Sequence, residues 1–150
     1  VSWDNATKTV SITASEGSKA TLMDALNEFW VLYTVIEYAE QVSYLAMNIY
    51  TSPTLQASAQ IDSVLSSVGE RKAALADIKK QANLSYPDVK SGYEQCDKLL
   101  DVTYDNLKAF KDGKKDYDSI KTERENTSAI LDLKGKTGNI IFNMFKQVNQ

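Results

Sequence analysis

From Ser18 onward the apolar side chains recur every three or four residues, a period that fits helices and excludes strands. Ile61, Val64, Val68, Arg71, Leu75, Ile78 and Ala82 make one such line, and Val89, Tyr93, Cys96, Leu100, Thr103, Leu107 and Phe110 make another. On a helical wheel each line collapses onto a single narrow seam. The interruptions fix where the helices stop. Thr51-Ser52-Pro53 and Tyr86-Pro87-Asp88 each place a proline, with its fixed φ and missing N–H, where only the first turn of a helix tolerates it. Asp112-Gly113 supplies a C-terminal stop. The pattern predicts a first helix from an N-cap at Ser18 to Tyr50, a second from Pro53 to Asn83, a third from Tyr86 to Lys111 and a fourth beyond Gly113. Such short breaks force consecutive helices antiparallel. The expected fold is all-α: an antiparallel up-down four-helix bundle over residues 17–150, preceded by a short N-terminal β-hairpin over residues 1–16.

The fourth helix carries the weakest pattern. Lys114 to Thr127 offers only Tyr117 and Ile120 as apolar residues, and Gly135 and Gly138 each weaken a helix by about 1 kcal/mol relative to Ala, which predicts a kink or break near Gly135. Within Lys121-Thr122-Glu123-Arg124-Glu125 the two glutamates read as a solvated face rather than an acid–base pair.

The first helix departs from the single-seam rule. Leu22, Leu26, Phe29, Tyr33, Ile36, Met47 and Tyr50 form one stripe, while Val31, Val35, Tyr38, Val42, Leu45 and Ile49 form a second on the opposite side. Only a strip around Asn27, Thr34, Gln41 and Asn48 is clearly polar. A helix this apolar sits at the centre of its own bundle or keeps a face for a partner, because monomers rarely expose large contiguous apolar patches. The second stripe, with Trp30 beside it, is the expected interaction surface: Trp30, Val31, Val35, Tyr38, Val42 and Leu45, serving a homodimer or an unidentified protein or cell-wall partner. Part of it is expected to be covered within the chain, by the fourth helix through Ile130, Leu133, Ile140, Ile141, Met144 and Phe145 or by the hairpin through Trp3, a second protein molecule being the third candidate. Arg71 is the one charge on the second helix's seam. Folding the chain back at its breaks sets it one turn from Glu37 and Glu123, so a buried polar layer of Arg71 with Glu37 or Glu123 is expected.

The first twelve residues obey a period of two. Val1 and Trp3 alternate with Ser2 and Asp4, Val10 and Ile12 with Thr9 and Ser11, around a polar turn from Asp4 to Lys8. The run Val1-Ser2-Trp3-Asp4-Asn5-Ala6-Thr7-Lys8-Thr9-Val10-Ser11-Ile12 resembles the closing hairpin of the copper amine oxidase N-terminal-like domain, a stalk module of secreted and surface proteins of Gram-positive bacteria. The resemblance implies an extracellular or cell-surface location and an upstream stalk domain whose end this hairpin would be. It implies no copper, which in amine oxidases belongs to a different domain.

Composition removes most chemistries. The chain has no histidine, so Ser-His-Asp and Cys-His nucleophile systems, Glu-x-x-His di-iron sites and His-ligated zinc or copper are out of reach. Its one cysteine, Cys96, makes no internal disulfide or thiolate cage and, on the third seam, is expected to be buried and inert. No Gly-rich phosphate loop is present, and Asp112, Asp116 and Asp118 lack the register of a calcium loop. The net charge of −3 is spread without a basic run, which argues against nucleic acid. The apolar stretch from Leu22 to Tyr50 is interrupted by Asp24, Glu28, Glu37 and Glu40 and does not read as a membrane span. At 150 residues the chain can bury about 68–70% of its unfolded surface without metal or cofactor. What remains is a non-enzymatic extracellular spacer or protein/glycan interaction module. The alternative is a small-ligand sensor or carrier with a pocket lined by Phe29, Trp30, Tyr33, Tyr38 and Tyr44.

Overall fold

The computed structural model describes the backbone of residues 2–4, 9–11, 16–81, 86–113 and 117–150, and the side chains of residues 21–80, 86–113 and 118–150. The fold is all-α, with helices α1 (Glu16–Thr51), α2 (Ser58–Gln81), α3 (Pro87–Lys111) and α4 (Tyr117–Val148). Two three-residue strands, Ser2–Asp4 and Thr9–Ser11, pair antiparallel ahead of α1 with Trp3 opposite Val10, and the second runs beside α4. Val1, Ile12 and the turn from Asn5 to Lys8 lie outside the described residues, as do the side chains of Trp3, Val10 and the expected N-cap Ser18.

Cross-helix bonds give the direction of each helix. Lys72 pairs with Asp101 and Lys111 with Asp62, so α2 and α3 run antiparallel. Ser43 meets Thr127 and Glu40 meets Lys134, making α1 and α4 antiparallel. Thr103 meets Glu123 and Asn106 meets Ser119, which does the same for α3 and α4. α1 and α3 lie parallel across the short diagonal, where the Cβ that Gly92 lacks would come 2.5 Å from a methyl of Leu32. α1 therefore touches all three other helices, and this is why its sequence is apolar around most of its circumference.

Three features differ from the expected ones. α1 begins at Glu16, so the backbone of Ser18 lies inside the helix and does not cap it. Pro53 opens a single 3-10 turn, Pro53–Leu55, and α2 starts later, at Ser58, with Gln56 Nε2 donating back to the Ile49 carbonyl. α4 runs unbroken through Gly135 and Gly138. Tertiary burial of Ile130, Leu133, Ile140, Ile141 and Met144 on both sides of the glycines outweighs their propensity cost. The seam of α3 is buried throughout, from Val89 to Phe110.

Candidate interaction surface

The two stripes of α1 have different fates. The first faces α4: Tyr33 lies 3.4 Å from where a Gly138 Cβ would stand, and Glu40 accepts from Lys134 Nζ at 2.6 Å. That bond holds the Lys134 pKa above its ordinary value. The second stripe is split. Val35, Val42 and Ile49 are buried, while Val31, Tyr38 and Leu45 remain 40–45% exposed. Its cover comes from α2 and α3 rather than from α4 as expected: Cys96 Sγ approaches the Val35 carbonyl at 3.9 Å, and Ile49 shares a small apolar cluster with Ile61.

The largest aromatic exposure lies elsewhere, in the furrow between α1 and α4. Trp30, Phe142 and Phe145 are 58%, 57% and 57% exposed, with Leu131 at 41% farther along α4. Trp30 and Tyr33 stack with ring centroids 6.1 Å apart, and with Gly138, Ile141, Phe142 and Phe145 they line an open apolar groove of about 410 Å³. Lysines rim it: Lys146 Nζ stands 4.4 Å from the Phe142 ring centre and Lys134 Nζ 5.8 Å from that of Tyr33. Only Trp30 of the expected surface belongs to this groove. Sequence reasoning assigned Phe145 to the cover of α1 and missed Phe142. The available signal was a second line on α4, Leu131, Gly135, Gly138, Phe142 and Phe145, spaced by four and three outside its buried seam.

The aromatic pocket expected of a ligand carrier is not assembled. Phe29 is in the core, Tyr44 is 45% exposed and Tyr38 lies under Arg71, so only Trp30 and Tyr33 share a groove. A second open groove, about 650 Å³ between α2 and α3, mixes Asp62, Glu70, Lys108 and Lys111 with Leu65 and Tyr104.

A buried polar layer exists; of its expected members it keeps Glu123 but neither Arg71 nor Glu37. Glu123 is fully buried rather than solvated. Its Oε1 accepts from Ser43 Oγ at 2.6 Å and Thr103 Oγ1 at 2.7 Å, and its Oε2 from Asn106 Nδ2 at 3.4 Å. Asn126 Nδ2 in turn donates to Thr103 Oγ1 at 2.9 Å and to the Leu99 carbonyl at 3.0 Å, which aims the threonine proton at the carboxylate. Burial, and then the neighbouring Glu123, raises the Tyr50 phenol's pKa. Arg71 pairs with neither expected carboxylate. Its guanidinium lies over the Tyr38 ring, 4.4 Å from the centre, while Glu37 sits 3.8 Å from Lys134. The reason is desolvation: the long arginine stem reaches the surface and a ring face, and neutral hydroxyl and amide donors already satisfy Glu123. Cys96 is fully buried and reduced, its thiol pushed up to about 12 by burial and then by the nearby Asp97.

No three His, Cys, Asp or Glu side chains converge among the described residues, and none of their helices is long and apolar enough to cross a membrane. Compared with family models, with curated proteins and with solved structures, the chain matches none.

Proposed function

We propose that this chain is a non-enzymatic helical interaction module of the extracellular side or cell envelope, carried next to a stalk domain whose closing hairpin is residues 1–12. The hairpin's likeness to a Gram-positive surface module supports the location. The observation that carries the interaction is the α1–α4 groove, where Trp30, Phe142 and Phe145 stand more than half exposed on a bundle whose own seams are filled. Solvated aromatics in one contiguous strip are a standing cost in water that a contact surface removes. Among the described residues Glu123 is the one acid deep in the core, where it is sealed among hydroxyl and amide donors and is not presented to a substrate. The groove is open along its length, which suits a macromolecular surface better than a carried small molecule.

The test is co-sedimentation of the purified chain with isolated Gram-positive cell envelopes. The parent is expected in the pellet, and the double variant Trp30→Ala, Phe142→Ser in the supernatant with an unchanged helical spectrum. Equal retention of both would remove the groove from the contact surface.

A further inference from the structure

We infer that the α1–α4 groove is a homodimer interface in which α4 of one copy crosses α4 of another antiparallel, backbone against backbone at Gly135 and Gly138. This rests on the reading above that the aromatic groove is a contact surface, and it names the partner as a second copy of this chain. Three observations carry it.

The first is the order of residues on the exposed side of α4. Leu131, Gly135, Gly138, Phe142 and Phe145 follow one another at steps of four, three, four and three, the repeat of a helix that packs along a partner helix. The line is self-complementary when reversed. An antiparallel partner centred between residues 136 and 137 sets Leu131 opposite Phe142 and Gly135 opposite Gly138, so large residues meet across the ends and glycines meet at the centre. A two-fold axis requires this kind of self-match, because each copy presents the same patch to the other.

The second observation is that packing within one copy requires neither position to be glycine. A Cβ at Gly135 would have no atom within 4 Å, and one at Gly138 would meet only the Tyr33 ring at 3.4 Å, ordinary contact. Gly92 shows the contrast, since there a methyl would run into Leu32 at 2.5 Å. Two glycines in the middle of an unbroken helix weaken it and leave a smooth notch, and a notch matters only to something that approaches from outside.

The third is area. An aromatic side chain carries roughly 150–250 Å² of surface, so Trp30, Phe142 and Phe145 at their observed exposure, with Leu131 farther along α4, present roughly 450 Å² per copy. Two copies bring together roughly 900 Å², the size of a weak, reversible interface. Lys134 is held by Glu40, so one of the two rim lysines is already neutralised within its own copy.

Sedimentation equilibrium on the purified 150-residue chain, with no envelope material present, tests this. The parent is expected to move from monomer to dimer mass as concentration rises through the micromolar range. Gly135→Leu fills open space in the monomer and lowers neither its helicity nor its melting temperature, yet it holds the two backbones apart, so at least a tenfold weaker association is expected. Phe142→Ser is expected to weaken it similarly, and Tyr38→Glu, on the α2 side of α1, to leave it unchanged. A parent that stays monomeric at every concentration, as it would if its own N-terminal hairpin filled the groove, overturns the proposal. It does so without touching the envelope-binding reading, which is measured separately. A dimer that persists in Gly135→Leu, or one abolished by Tyr38→Glu, overturns it as well.

Discussion

Replacing Glu123 separates an acid that a bundle tolerates from one around which the layer is organised. Glu123→Met keeps the length of the side chain and removes the acceptor of two hydroxyls, those of Ser43 and Thr103, both fully buried. A buried donor deprived of its acceptor costs about 1–3 kcal/mol, which for two hydroxyls spans about 2–6 kcal/mol. Ser43 retains Thr127 Oγ1 at 2.7 Å as a second partner, which relieves part of that cost and places the expected loss at about 3 kcal/mol. For a domain of this length each kcal/mol moves the melting temperature by about 2–4 °C, so the midpoint should fall by about 6–12 °C. The decisive comparison is the triple variant Glu123→Met, Ser43→Ala, Thr103→Val. It removes donors and acceptor together and should recover most of the lost stability, because an apolar layer of similar shape needs no hydrogen bonds. Thermal and urea melts followed by circular dichroism measure both variants. If Glu123→Met melted with the parent, or if the triple variant were no better than the single, the carboxylate would not be what orients this layer.

Other outcomes follow from single contacts. Gly92→Ala should cost about 1–3 kcal/mol by forcing Leu32 from its place in the core, whereas Gly135→Ala should add about 0.5–1 kcal/mol to monomer stability, both read from urea midpoints. Cys96 should resist a thiol reagent in the folded chain at pH 8 and react once urea unfolds it; prompt labelling without denaturant would contradict its burial. Its thiol is raised from 9.0 to about 12 in the folded chain, so the folded state holds the proton more tightly than the unfolded one. The resulting stability is complete below pH 9 and is lost as pH rises toward about 12, and Cys96→Ala should flatten the decline of the melting temperature over that window. Arg71→Met should change stability by less than about 2 kcal/mol, the upper worth of a partly buried cation–π contact; a loss of several more would mean that the guanidinium has a buried carboxylate partner after all.

The four helices were legible because a helix buries a stripe, and a stripe leaves a three-four period in the chain whatever its neighbours are. Pro87 and Gly113 marked the ends of α3 correctly, since their backbone restrictions are local. Pro53 misled because the same restriction also starts a 3-10 turn, and nothing local distinguishes the two. The polar layer leaves a trace in the sequence of α1. The first stripe of α1 skips from Ile36 to Met47, and the positions it skips are Glu40 and Ser43, facing Lys134 and Glu123. Which polar residues meet across helices is a property of rotation and register, and a sequence period fixes neither to better than about a turn. That uncertainty is why the period pairs Glu123 with Arg71 rather than with Ser43 and Thr103. The same holds for the groove. The spacing of residues alone shows that α1 is apolar on two sides and that α4 carries aromatic residues beyond its seam. That α2 and α3 take up half of the second stripe while Trp30, Phe142 and Phe145 are left together in water follows from the folded arrangement, because coverage depends on which helix is the neighbour, and that is set by the packing of all four at once.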